Sequence, residues 1–278
     1  MSDILLTVHM VVKNEDRFIW YALNSVLPYV DKVIIFDTGS TDKTVEIINS
    51  FADERIKFQS IEIKEAKDIG RLRQQQIEET NTPWFWIVDG DEIYHSSLCK
   101  EIVNIVRKEG KNLEGIVVGR YDLLGDVYHF QDESVGTYNL FDRQGHFVLR
   151  LINKENIAGL HVEGLYPYEG YYDKNGQELI NHDKQRFYFA KGRLFHAMYL
   201  QRSTHGASLS DTLHRNKWKI ELGKRIKDKK LIPEVFYQPH PVLVPDSYGK
   251  RSIFYELAAN LVTPIKIFKR KLWKFLNI

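Results

Sequence analysis

Trp84-Phe85-Trp86-Ile87-Val88-Asp89-Gly90-Asp91-Glu92 is the stretch that decides how the chain is read. Five apolar residues in a row suit a strand buried on both faces, and the acids follow with no spacer. Such a strand belongs inside an α/β sheet, and its acids stand where the sheet ends. The same grammar repeats upstream. Residues 4–12 are an apolar run broken only by Thr7 and His9, followed by a helical stretch with Phe18, Ala22 and Val26 on one face, ending at Pro28. Val33-Ile34-Ile35-Phe36 is a second strand, closed by Asp37-Thr38-Gly39-Ser40, and Thr41 or Asp42 can N-cap a helix through Val45, Ile48 and Phe51. Residues 56–63 read as a strand, 66–80 and 97–107 as helices, and 114–120 as a further strand. The alternation implies an α/β fold with a mostly parallel sheet flanked by helices.

Beyond residue 120 the pattern loosens. Residues 121–146 are polar and aromatic with scattered glycines, the composition of a functional loop. Residues 147–152 read as a strand, 193–200 as a short element and 213–227 as a basic helix. Residues 231–249, with four prolines, form an extended connector to a final helix.

The totals narrow the classes. An apolar fraction of 43% in 278 residues is ample for a core, and 39 basic against 37 acidic residues argue against nucleic-acid binding. The single cysteine, Cys99, excludes a disulfide framework and fits a reducing compartment. The opening residues lack a basic leader, and no apolar run reaches the roughly 18 residues of a spanning helix, so a cytoplasmic location is expected.

In open α/β sheets ligands bind outside the carboxyl ends of the strands. Here those ends deliver Lys13-Asn14-Glu15, Asp37-Thr38-Gly39-Ser40-Thr41, Arg71 and Arg73, and Asp89-Gly90-Asp91-Glu92. One acidic turn is ordinarily solvated surface or a cap; four loops converging on one edge point to a site. The chemistry that fits is substitution at a sugar carbon with a nucleoside diphosphate leaving. A divalent cation on the phosphate oxygens stabilises that departure, and Mg²⁺ or Mn²⁺ takes one or two protein carboxylates with phosphates and water. Asp89 and Asp91 offer two carboxylates from one turn, either of which could instead bind ribose hydroxyls. Asp37 is placed to accept from base or ribose, and Arg71 or Arg73 to meet base or diphosphate, although an ordinary solvated helix face also explains the two arginines.

Residues 7–51, TVHMVVKNEDRFIWYALNSVLPYVDKVIIFDTGSTDKTVEIINSF, resemble the opening of the inverting family-two glycosyltransferases, which have the GT-A fold. The segment IGRLRQQQIEETNTPWFWIVDGDEIY resembles their acidic DXD region, and the DTGSTD and D-x-DE pair resembles the branch that decorates lipopolysaccharide and other surface glycans. The resemblance implies that Asn14 and Glu15 end the first nucleotide-binding strand, that Asp37 contacts the nucleoside, and that Asp89 and Asp91 handle ribose and metal. It further implies inversion, a nucleotide-sugar donor and a glycan or lipid-linked acceptor. The expected organisation is a GT-A-type catalytic domain over 1–230, with a nucleotide-binding half (1–120) and an acceptor half (121–230), then a connector and a basic helical extension over 231–278.

Other readings of these letters fail. Phe36-Asp37-Thr38-Gly39-Ser40 spells an aspartic-protease turn, but no second Asp-Thr-Gly or Asp-Ser-Gly occurs. Dinucleotide and P-loop glycine motifs are absent from the sequence. A degenerate GT-A-like protein that only binds a nucleotide or glycan is the non-enzymatic alternative.

Inverting transfer needs a general base. Residues 157–164, IAGLHVEG, resemble the family's later His-Glu region and make Glu163 the first choice, with Asp132 and Glu133 next. His196, in the apolar run LFHAMYL, is either a satisfied core histidine or a late metal ligand of the kind related folds use; His161 and His182 are weaker candidates. Tyr166, Tyr168, Tyr171 and Tyr172 around Glu169 suit sugar stacking or a half-buried hairpin. Finally, residues 264–278 carry five Lys/Arg and no acid. Ile265, Phe268, Leu272, Phe275 and Leu276 share one helical side, with Lys266, Lys269, Arg270 and Lys274 largely off it. That pattern suits either peripheral contact with an anionic membrane, on its inner face, or docking on the catalytic domain by the same stripe.

Overall fold

The computed structural model describes residues 6–205 and 219–276. In chain order the first half runs β1 (Leu6–Val12), α1 (Ile19–Val26), β2 (Lys32–Asp37), α2 (Thr44–Asn49), β3 (Ile56–Ser60), α3 (Lys67–Glu79), β4 (Trp84–Ile87), β5 (Glu92–Ile93) and α4 (Ser96–Lys108). The second half runs β6 (Gly115–Leu124), β7 (Asp126–Phe130), β8 (Tyr138–Leu140), β9 (Arg143–Gly145), β10 (Phe147–Asn153), β11 (His161–Glu163), β12 (Gly170–Tyr172), β13 (Phe187–His196), β14 (Lys224–Arg225) and α5 (Ile253–Leu276).

The main sheet has ten strands, ordered β14-β7-β6-β10-β4-β1-β2-β3, with β13 beside β6 and β5 beside β13. Strands β3, β2, β1 and β4 are parallel, as the strand-helix alternation requires. β10 then inserts antiparallel between β4 and β6. Every residue of β1 and β4 is buried, so the apolar runs that define them pack on both faces. The two polar interruptions of β1 are both used. Thr7 Oγ1 lies 2.8 Å from Thr82 Oγ1, and His9 Nε2 lies 2.5 Å from Thr80 Oγ1 while its ring stacks on Phe85. Burial, with help from Arg73 and Lys154, holds the His9 imidazole well below its ordinary pKa, so a neutral ring sits in the core. On the same side Gln76 of α3 donates to Met10 O and Ile34 O at 2.8 and 3.0 Å, locking that helix across β1 and β2.

Three expectations need correction. Residues 121–146 are largely strand, forming the end of β6, then β7 and the β8–β9 hairpin; cross-strand pairing absorbs polar and aromatic residues that read as loop. The element expected at 193–200 is the end of a ten-residue strand, β13. The helix expected over 213–227 lies partly outside the described residues, and its described part, from Lys219, is extended and includes β14 on the sheet edge.

The connector over 231–249 is irregular, and Ile232, Val235, Phe236 and Val244 fill the core beside α1. Helix α5 is held differently, almost wholly by polar contacts. Tyr255 Oη donates to Lys219 O at 2.9 Å, Leu222 N donates to Thr263 Oγ1 at 2.9 Å, and Arg270 Nη2 meets Glu221 Oε1 at 2.6 Å. Lys266 adds its charge 3.5 Å from the same carboxylate. Burial alone would raise the Glu221 pKa, but Arg270, Lys219 and Lys266 outweigh it and the net shift is downward. A lowered carboxyl pKa contributes stability that is present above the ordinary value of 4.5 and lost as pH falls through the folded value. Glu221→Gln should therefore speed amide exchange in α5 at neutral pH, by an opening energy of about 1 kcal/mol, the Arg270 partner being a third exposed. It should also flatten the acid limb of that exchange; an α5 equally protected in both proteins would discount the contact.

Candidate active site

The carboxyl ends of β1 and β4 open onto a cleft of about 750 Å³ whose walls come from both halves of the chain. β4 delivers the acidic turn. Asp89 is partly open to solvent, while Asp91 and Glu92 are buried. Buried carboxylates need partners, and arginines from three directions supply them. From β10, Arg150 binds Glu92 Oε1 through Nε at 3.1 Å and again through Nη2, which also reaches Asp89 Oδ2 at 2.9 Å. Burial opposes its charge, but Glu92 and Asp89 outweigh that and raise its pKa above the ordinary guanidinium value. From α3, Arg73 meets Asp89 Oδ1 at 3.4 Å and Glu169 Oε1 at 3.1 Å. From the segment after β13, Arg202 Nη1 donates to Glu15 Oε1 at 3.1 Å and stands 3.7 Å from Asp91 Oδ2.

His196 ends β13, whose pairing with β5 sets it opposite Glu92 and across from Asp91. Its Nδ1 lies 3.1 Å from Asp122 Oδ1 and its Nε2 3.6 Å from Asp91 Oδ1. Burial would lower its pKa, yet the two carboxylates prevail and raise it. Asp122 is also met by Arg120 at 3.0 Å and His146 at 3.4 Å, so a buried charge cluster backs the histidine.

Among the described residues, the buried polar atoms of the cleft without a hydrogen-bond partner include Arg73 Nη1, Asp91 Oδ2 and Glu169 Oε2. One is a donor and two are acceptors. Among the described residues no group of three or more His, Cys, Asp or Glu side chains is arranged to hold a metal ion. The Asp91–His196 pair, with Asp122 behind the imidazole, is the two-ligand fragment that a cation also bound to phosphate would use.

Of the residues singled out from sequence, Glu15, Arg73, Asp89, Asp91 and His196 line this cleft. Asn14 stands beside it in a supporting position, with positive φ, its Oδ1 accepting from Thr41 N at 2.8 Å. Asp37 is buried; its Oδ2 accepts from Gly39 N at 3.1 Å, Ser40 N at 3.0 Å and Ser60 Oγ of β3 at 3.3 Å, and its Oδ1 from Ser40 Oγ. Arg71 points to solvent beside Asp68, two residues from Arg73 and on another helix face. Glu163 lies outside the lining, 57% exposed and paired with His161 at 2.8 Å. Asp132 and Glu133 are likewise outside it, bound to Lys224 and Arg193, and His182 pairs with Glu114. The Tyr-rich hairpin does reach the site: Tyr166, Tyr168 and Tyr171 line it beside Glu169. Arg150, Arg202, Asp122 and Glu169 were not anticipated. Arg150 had a signal, a lone charge inside an otherwise apolar strand, and Asp122 shares its strand with Arg120.

A sheet whose central parallel strand ends in an acidic turn, closed by an antiparallel strand and faced by guanidinium groups, defines an α/β protein of GT-A type. The sequence profile of glycosyl transferase family 2 matches residues 7–163, more than half of the chain, and the chain belongs to that family. It is similar to the prophage-derived glycosyltransferase SunS of Bacillus subtilis, at 32% identity over 103 residues, 37% of this chain and 24% of that one. It is also similar to the processive diacylglycerol beta-glycosyltransferase of Mycoplasma genitalium, at 28% identity over 134 residues, 47% of this chain and 38% of that one. The match thus spans well under half the length of either relative. Among solved structures, S. aureus TarS in complex with UDP-GlcNAc superposes with a TM-score of 0.47 at 14% identity, covering 73% of this chain and 62% of that one. Among the described residues no helix is long and apolar enough to cross a membrane.

The arginine at the centre can be tested apart from any activity. Arg150→Met should cost about 3–5 kcal/mol, because it strands Glu92 in the core. Adding Glu92→Gln should recover part of that loss in denaturant unfolding; simple additivity of the two would show that the pair is not coupled.

Proposed function

We propose that the chain transfers a glycosyl unit from a nucleotide sugar to an acceptor hydroxyl, with inversion and with Mg²⁺ or Mn²⁺ as cofactor. The observation that carries this reading is the set of unsatisfied buried atoms. A donor nitrogen of Arg73 and acceptor oxygens of Asp91 and Glu169 share one cleft. A ligand that satisfies all three brings anionic oxygens for the guanidinium and a cation or hydroxyls for the carboxylates. A nucleoside diphosphate sugar with its metal has both. Family membership supports the same chemistry.

Asp91 and His196 would hold the cation, Asp122 fixing the imidazole so that Nε2 faces Asp91. Bound there, the metal would neutralise charge developing on the leaving diphosphate. Arg73, Arg150 and Arg202 line the same cleft and would take phosphate oxygens in exchange for their present carboxylates. The acceptor oxygen attacks the anomeric carbon from the face opposite the diphosphate. The carbon–oxygen bond to the diphosphate breaks, its electron pair leaves with the phosphate oxygen, and the acceptor's proton passes to a base. Glu169 suits that role better than Glu163. Its side chain is buried in the cleft wall, one oxygen is held by Arg73, and the other has no hydrogen-bond partner among the described residues, whereas Glu163 would have to leave His161 and turn inward. Tyr166, Tyr168 and Tyr171 around it offer faces for the acceptor sugar or headgroup. The acceptor is a hydroxyl of a surface glycan or lipid-linked glycan.

A thermal-shift screen of UDP-, GDP- and dTDP-sugars with and without Mn²⁺ tests the donor site. One nucleotide should stabilise the protein, and Asp91→Asn should abolish the metal-dependent part of that shift together with turnover. A wild-type shift without any transfer to hydroxyl acceptors would favour the binding-protein alternative. For the base, Glu169→Gln should lower kcat by about a hundredfold or more with donor affinity nearly unchanged, and Glu163→Gln should leave both close to wild type. The reverse pattern would return the role to Glu163.

A further inference from the structure

Helix α5 is amphipathic the wrong way round for a helix that belongs to a core. Its 24 residues extend about 36 Å, and the side facing the body is polar or small: Tyr255, Ala259, Thr263, Lys266 and Arg270. The opposite side carries Phe254, Leu257, Leu261, Ile265, Phe268, Leu272 and Phe275 at spacings of three and four, each between 43% and 84% exposed. Ile265, Phe268, Leu272 and Phe275 of the stripe foreseen from sequence therefore face solvent, and they do not dock the helix on the body. An unbroken apolar ridge of this length on a monomer's surface marks a contact site.

We propose that this ridge lies in the surface of a bilayer containing anionic lipid. The choice rests on charge. From Pro264 to the end of the chain there are five Lys/Arg and no acid. The one acid within the helix, Glu256, is bound by Arg251 at 2.8 Å. In a parallel pair made by two copies the lysines would flank the seam and repel, and in an antiparallel pair they would face the partner's first turns, whose one acid is already bound by Arg251. On an anionic surface the same lysines are opposed by headgroups. Lys269 and Lys271 are exposed, and Trp273, half exposed, holds the Lys269 ammonium 4.6 Å over its ring, an aromatic and a cation side by side as at a headgroup boundary. No described helix can cross a membrane, so α5 lies along the surface. This placement does not depend on the transfer reaction being correctly read.

Co-sedimentation of the full chain with vesicles of phosphatidylcholine, alone or mixed with phosphatidylglycerol, tests it by a readout independent of turnover. The chain should pellet with the mixed vesicles and be released by high salt. Leu261→Glu with Phe268→Glu should weaken partitioning about tenfold or more. Lys269→Glu with Lys271→Glu should remove the preference for phosphatidylglycerol. All four side chains are exposed, so melting temperatures should not move and lost binding is not lost folding. No pelleting with mixed vesicles, or equal pelleting of the Leu261/Phe268 variant, overturns the proposal. So does a dimer in analytical ultracentrifugation that this variant dissolves, which would make a second copy the occupant.

Discussion

Arg150 reaches from an antiparallel strand across the end of a parallel one and binds Glu92 and Asp89 together. Much else follows from that contact. Isolated carboxylates at the end of a doubly buried strand cost several kcal/mol each, and a guanidinium in the same place costs as much. Together they are tolerable, and only if β10 sits directly beside β4. The insertion of an antiparallel strand into a parallel sheet is therefore matched to the charge the parallel strand delivers. The same logic recruits Arg73 from α3 and Arg202 from beyond β13, so that three remote parts of the chain are fixed relative to one acidic turn.

The first half was legible because β1, β2 and β4 are buried on both faces. An apolar run of strand length between turn signals leaves little choice, and β1, β2 and β4 fall where the runs are. The acidic turn was legible for the same reason, since it follows the buried strand directly. The second half was not. Short antiparallel strands with one wet face, such as β7 to β9, spell the same mixture of polar and aromatic residues as an irregular loop. Their pairing is decided by partners far away in the chain, which local pattern does not record.

Site residues divided along a similar line. Asp89 and Asp91 could be placed at the cleft by their position at a strand end, and His196 was singled out as the polar interruption of an apolar run. Choosing Arg73 over Arg71 required the helix phase against the sheet, which two residues of spacing do not reveal. Asp37 illustrates a different limit. In Asp-Thr-Gly-Ser the side chain also closes its own turn, with Gly39 at positive φ, so local hydrogen bonds hold the carboxylate at the strand end. Glu163 fell short by register. The β11–β12 hairpin pairs Glu163 with Gly170 but leaves the Glu163 side chain in solvent, while Glu169 faces the cleft.

The cleft's acids and arginines are largely, though not fully, paired with one another, so on the proposed reading ligand entry would in part be an exchange of partners. An anion arriving alone would take the guanidinium groups and strand the carboxylates; a cation alone would do the converse. Either half-reaction leaves buried charge uncompensated, at a cost comparable to a large fraction of a domain's stability. A ligand of balanced charge, or an anion and a cation entering together, avoids it. Thermodynamic linkage then requires each to strengthen the other's binding by the same factor. On the proposed reading, donor and cation would therefore each favour the other's entry into the cleft.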